Sequence, residues 1–254
     1  TNSVVTHLHN GIQYFTTNNV RPLPTDNLQN VFDAGDDLIV EKNQKELSLE
    51  WLMKKAFEDF INAIFKSLKE AFKTVKFLEF CLKGEYNGYL EGLLSQMDNF
   101  EKQADRKHLP DLIAGIEKTI KQELILKDQI VSLNKARNCI VHRDSIVKNI
   151  DTNNEQKDKL VIKWVEMNNY VKIEDKFEKL TFEKREKSVL VKALEQREES
   201  EYSEFKLGDR LKFSINDFNG ITYCCYKFAT NLFDSCINYQ HIVKSKITST
   251  DNKK

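Results

Sequence analysis

Apolar residues recur at three- and four-residue steps through most of the chain, which predicts a helical fold. The longest such run starts near residue 44. Leu49, Leu52, Ala56, Phe60, Ile64, Leu68, Phe72 and Val75 share one face of a helix that Ser48 opens and that ends near Gly84. A second helix is predicted over 86–105, with Leu90, Leu93, Leu94, Met97 and Phe100 on one side. "HLPD" at 108–111 is a break, and Pro110 suits a first helical turn. A third helical stretch follows over 111–142, through Ile113, Ile116, Ile120, Leu124, Ile130, Leu133, Ile140 and Val141. The last amphipathic helix covers 216–243, with Asp217 near its start. It must bury Phe218, Tyr223, Tyr226, Phe228, Leu232, Phe233 and Ile237 against the earlier helices, and the tail from about 245 is expected to fray.

Between the third and last helices the period changes. "KLVIKWVEMNNYVKI" (159–173) alternates and predicts strand, turn and strand, with Asn168-Asn169 as the turn. The preceding "NIDTNNEQKD" (149–158) reads as a polar linker. The mixed charges of 184–204 predict a helix with a solvated face, and "DRLKFSI" a short strand. Upstream of the helices, "TTNNVRPLPTDN" (16–27) reads as loop, and "NLQNVFDAG" as a short helix closed by Gly35. The expected organisation is an N-terminal arm (1–43) and a mainly α domain (44–254). That domain is an antiparallel helical bundle with a β-containing insertion at about 155–214.

Composition agrees with the helical pattern: the 254 residues include only eight Gly and three Pro. Thirty-nine basic and thirty-nine acidic residues cancel, so any nucleic-acid site must be a local patch rather than a property of the whole surface. Five cysteines, an odd number, match no zinc or disulfide spacing and suggest a reducing compartment. No segment is apolar enough to span a membrane, and no leader pattern opens the chain. The expected location is the cytoplasm, with no membrane contact, and the initial Thr suggests a processed or shortened start.

One stretch carries chemistry. "LNKARNCIVHRDS" (133–145) puts Arg137, Asn138 and His142 on the last turns of the third helical stretch. At about 100° per residue, Asn138 and His142 share a face, while Arg137 points roughly 140° away from His142. A two-fold dimer would pool two sets of these groups. Histidine titrates near neutrality and moves protons. Arginine grips a phosphate through paired hydrogen bonds and stabilises charge developing on it. Those parts suffice for metal-free RNA cleavage by the 2′-hydroxyl. The structural alternative has Arg137 paired with a carboxylate, Asn138 capping a carbonyl and His142 as an ordinary helix-end residue. Short matches of this kind are common by chance. Cys139, inside the motif, reads as a packed small residue rather than a nucleophile. His7 and His9 are too few for a metal site, and His108 and His241 read as structural.

"RNCIVH" on a helix in an all-helical setting resembles the signature of the HEPN superfamily, an Arg and a His with four to six residues between them and a polar residue after the Arg. Arg137, Asn138 and His142 match those positions over a helical order covering about 45–148 and 216–243. The resemblance implies a HEPN-like bundle and a metal-independent endoribonuclease without cofactor. His142 would be the general acid/base, Arg137 would stabilise the phosphate, and Asn138 would orient one or the other. It also implies RNA as substrate, a homodimer whose two motifs line one cleft, and a toxin or effector role in bacterial antiphage or toxin–antitoxin systems. An antitoxin or regulatory protein would then be a partner. Other members are non-catalytic RNA- or nucleotide-binding or dimerisation modules. One toxin branch has Tyr two residues after the His; here Asp144 stands there, which argues against that branch. Asp144 is instead a candidate for tuning His142, and Lys135 and Arg143 are candidates for extending an RNA track from the cleft.

Overall fold

The structure, a computed structural model, describes residues 38–84, 90–173, 176–180 and 193–251. The arm loop, the short helix before Gly35, His7 and His9 lie outside them. Helices make up 63% of the structure, five in number among the described residues, together with a three-stranded antiparallel sheet. In chain order they are α1 (Leu38–Lys83), α2 (Leu90–Asp105), α3 (Leu109–Ile120), α4 (Lys127–His142), β1 (Lys159–Ile173), β2 (Lys176–Lys179), β3 (Leu194–Lys206) and α5 (Ile215–Asp251).

The chain divides into two compact units, residues 1–59 and 60–254. The described part of the first is the opening of α1, where Lys54–Glu50 and Lys55–Asp59 pairs lie one turn apart at 2.9 and 3.0 Å. The helix begins at Leu38, earlier than the apolar repeat predicts. Its end is as predicted: Gly84 takes φ +66°, a left-handed stop that costs a residue without Cβ little.

The second unit departs from expectation in three places. The stretch 111–142 is not one helix. Lys121 (φ 58°) ends α3, Leu126 (φ 58°) precedes α4, and neither residue type signals a turn. Distant partners hold the break. The Glu117 carboxylate accepts the Leu124 N–H at 2.8 Å, Asn231 of α5 accepts the Ile125 N–H at 3.1 Å, and Leu124 is buried. Residues 159–173 are one unbroken strand; Asn168 and Asn169 make no turn but face Arg197 and Gln196 across the ladder. Residues 194–206, in the segment whose charges predict a helix, form β3. The sheet order is β2-β1-β3, and β1 supplies β3's hydrogen bonds. Cross-strand pairs such as Lys159–Glu204 (2.7 Å) and Asn168–Glu199 (2.8 Å) use the charges that resemble a helix surface.

Smaller corrections follow the same logic. In place of a strand over 209–215 there is a single bridge, Arg210 to Ile146. The 149–158 linker is a built turn: Asn153 gives its amide to Val161 O and accepts the Val161 N–H, at 2.7 and 2.6 Å, as a strand residue would. The last helix opens on a reciprocal cap, Asp217 N–H to Ser214 Oγ and Ser214 N–H to the Asp217 carboxylate, and runs to Asp251 without fraying at 245.

The core lies where α4 and α5 both pack on β1. Ile130, Leu133 and Ala136 from α4, Leu160 and Ile162 from β1, and Ile221, Cys224 and Phe228 from α5 are sealed from solvent, whereas Tyr226 and Phe233, expected to be buried with them, lie on the outer side of α5 and are 60% and 64% exposed. Each large aliphatic or aromatic side chain buried there contributes roughly 1.5–3 kcal/mol. Contact is tight at Gly220 of α5. A Cβ on it would stand 2.6 Å from Trp164 Cδ1 and 2.6 Å from Glu166 Cγ. Glycine inside a helix costs about 1 kcal/mol against alanine, and the indole is what requires it. Gly220→Ala is therefore expected to destabilise the protein by about 1–3 kcal/mol despite the better helix former, read as a lower urea midpoint.

Burial also pushes the Cys139 and Cys224 thiols up, to about 12 and about 11, from an ordinary 9.0. Unfolded, these thiols lose their protons first as pH rises, so alkali favours the unfolded chain. Stability is expected to hold below pH 9 and to fall between about pH 9 and the folded-state values. A Cys224→Ala variant is expected to lose less stability over that range in urea titrations at stepped pH. No described helix is long and apolar enough to cross a membrane.

Candidate functional site

The motif sits at the C-terminal end of α4, whose opposite face is locked into the core by Ile130, Leu133, Ala136 and Cys139. That anchoring leaves Asn138, half-buried, and His142 one turn apart on the side away from the core. His142, the last residue of the helix, is exposed, and Arg137 is half-buried at the edge of the packed face. The Arg137 guanidinium donates to Asn138 Oδ1 at 3.1 Å, so two of the three motif residues are joined directly. His142 stands one turn beyond Asn138, with Arg137 roughly 140° around the helix.

The chain leaves the helix through a tight reversal. The Cys139 carbonyl accepts the N–H groups of both Arg143 and Ser145, at 3.1 and 3.2 Å. Asp144 and Ser145 both take left-handed conformations, φ 50° and 64°. Such conformations cost most side chains free energy and need surrounding support. Here the support is specific. The Ser145 carbonyl accepts Leu211 N–H at 2.7 Å, and Val147 exchanges backbone hydrogen bonds with Gly208 and Asp209.

Beneath the reversal lies a charge pair that the sequence reading does not single out. Arg143 Nη1 donates to the Asn138 carbonyl at 2.7 Å and approaches the Asp151 carboxylate at 3.2 Å. The two side chains are only 16% and 2% exposed. The other oxygen of Asp151 accepts the Lys148 N–H at 3.0 Å. Lys135 gives its ammonium to the Thr152 carbonyl at 3.1 Å. Lys135 and Arg143, the expected RNA track, thus tie the 143–152 segment to α4. Asp144 points elsewhere: its carboxylate, 80% exposed, takes Arg210 Nη2 at 3.2 and 3.3 Å. Asp151, Thr152 and Arg210 are the residues missed by sequence reasoning. Asp151 is hidden in a polar run, and nothing local distinguishes it from its solvated neighbours.

Cys139 is fully buried. Desolvation chiefly, then the Asp151 charge, raises its thiol to about 12, with the Arg143 charge pulling the other way. It stays protonated at neutral pH and serves as packing. His108 precedes α3 without capping it by its side chain, and His241 is exposed on α5. Among the described residues no group of three or more His, Cys, Asp and Glu side chains is placed to hold a metal ion.

The arrangement offers one exposed acid/base, one amide held by an arginine, and a helix end tied down by the largely buried Arg143–Asp151 pair. Comparison with protein-family models, curated proteins and solved structures found no match to this chain.

Proposed function

We propose that this chain is a metal-independent endoribonuclease of the HEPN type, acting in the cytoplasm as a homodimer, with a toxin or antiphage effector role. One observation carries the proposal: the Arg137 guanidinium and the Asn138 amide are hydrogen-bonded at a helix end whose exposed last residue is His142. His142 takes the proton of a ribose 2′-hydroxyl. The 2′-oxygen attacks the adjacent phosphorus, and Arg137 holds the charge gathering on the non-bridging oxygens. The bond to the 5′-oxygen breaks, that oxygen takes a proton from an imidazolium, His142 serving as acid as well as base, and a 2′,3′-cyclic phosphate and a 5′-hydroxyl remain. Asn138, fixed through Arg137, orients the guanidinium or the imidazole. Within one chain Arg137 and His142 diverge, so a partner's helix end beside this one completes the site.

The mechanism requires the 2′-hydroxyl. An RNA oligonucleotide is expected to be cut and its 2′-O-methyl counterpart to resist at every enzyme concentration; equal cutting of both excludes this chemistry.

A second reading is favoured by the internal use of Lys135 and Arg143. With those cations engaged, less positive surface is left to hold RNA, as suits a non-catalytic RNA- or nucleotide-binding or dimerisation module. Tight RNA binding without cleavage would select it.

A further inference from the structure

Helices α1 and α2 enclose an open groove far along the chain from the motif. Its cavity of about 330 Å³ is lined by Glu70, Lys73, Thr74 and Phe77 of α1 and by Leu94, Met97, Asp98 and Glu101 of α2, with Phe100 behind. Each set has the spacing i, i+3, i+4, i+7, so each helix offers one continuous face to the groove. The two helices run antiparallel, with Lys69–Asp105 joined at 2.7 Å and Phe80–Phe100 in edge contact at 6.4 Å. Of the described side chains of α2 only Ala104 is buried, and Leu94 and Met97 stand 53% and 49% exposed. This helix leaves its apolar stripe half covered, which soluble helices seldom do without a partner.

The groove is graded along its length. Phe77, Leu94 and Met97 make one end apolar. Glu70 and Glu101 make the other acidic, and both lie within 3.6 Å of Lys73, at 2.8 and 3.6 Å. Three carboxylates (Glu70, Asp98, Glu101) against one ammonium (Lys73) leave a net charge of −2 on the lining. We infer that the groove formed by Glu70, Phe77, Leu94, Met97, Asp98 and Glu101 is a docking site for a basic amphipathic helix of a partner protein. Aliphatic side chains of that helix seat on Phe77, Leu94 and Met97, and its Lys or Arg residues meet Glu70, Asp98 and Glu101. Two walls with helical spacing accept a third helix as a bundle does. The charge on the lining selects the sign of the occupant. The inference is independent of the ribonuclease proposal.

The test uses the full chain and a fluorescein-labelled peptide of about five helical turns, with Leu at i, i+4, i+7 and i+11 and Lys on both flanks. A second peptide carries Glu in place of every Lys. Anisotropy is expected to show saturable binding of the Lys peptide and binding at least about ten-fold weaker for the Glu peptide. The Met97→Glu variant decides between a seat and mere charge attraction. It adds a negative charge at an exposed position, so attraction by charge alone would strengthen binding, whereas the docking site predicts at least about ten-fold loss. Asp98→Lys is expected to weaken the Lys peptide while circular dichroism shows an unchanged fold. Undiminished binding to Met97→Glu, or no binding to the parent, overturns the inference. So does a dimer of the parent that Met97→Glu dissolves in sedimentation, because the occupant would then be a second copy of this chain.

Discussion

Under the proposed mechanism His142→Ala is expected to lower the rate of RNA cleavage by about 10²- to 10⁴-fold, the usual contribution of a positioned acid/base. The fold should scarcely notice. His142 is exposed at the last position of α4, and substitutions at such sites usually change stability by less than about 0.5 kcal/mol. Arg137→Ala should cost about 10²- to 10³-fold in rate, as losing an oxyanion-stabilising donor does. Because Arg137 is half-buried and bonded to Asn138, stability should also fall by about 1 kcal/mol. Arg137→Lys keeps the charge but not the paired donors and is expected to recover only part of the rate. Initial rates beside thermal melts separate the two effects: a purely structural pair would lose activity only in step with stability.

Asp151→Asn should produce the largest loss of stability among the substitutions considered. It keeps the side chain's shape but leaves Arg143, only 16% exposed, without its counter-charge. Breaking a buried pair from one side costs about 3–5 kcal/mol, because little water reaches the remaining charge to replace its partner. At about 2–4 °C per kcal/mol in a chain of this size, the melting temperature should drop by roughly 6–20 °C. The pair also anchors the reversal that positions His142, so activity measured well below the melting temperature should fall as well. Replacing both partners by apolar residues, Arg143→Met with Asp151→Leu, should restore much of the stability, since no orphaned charge is left. A double variant no better than Asp151→Asn alone would show that Asp151 works mainly through the Lys148 N–H.

What the sequence discloses is what local pattern controls. The apolar repeats of α1, α2 and α5, the stop at Gly84, Pro110 in the first turn of α3 and Asp217 at the start of α5 are all read from neighbouring residues. The α3–α4 break is different. Lys121 and Leu126 carry no turn chemistry, and the break is fixed by Asn231, a hundred residues on, and by Glu117 folding back. β3 is hidden for the same kind of reason. Its glutamates, serines and Arg197 have no strand preference, and only the 13-residue register with β1 makes them a strand. At the site, the motif residues are legible because they are close in sequence. The Arg143–Asp151 pair is not, because it joins a helix end to a polar run that resembles solvated loop.

The most direct test of the ribonuclease proposal is incubation of the purified protein with a mixed RNA pool in excess EDTA, with product ends identified, beside Arg137→Ala and His142→Ala variants of verified fold. Cleavage by the parent alone, leaving 2′,3′-cyclic phosphate and 5′-hydroxyl ends, is the predicted result. Cleavage that persists in either variant, or no cleavage by the parent at any protein concentration, would contradict it.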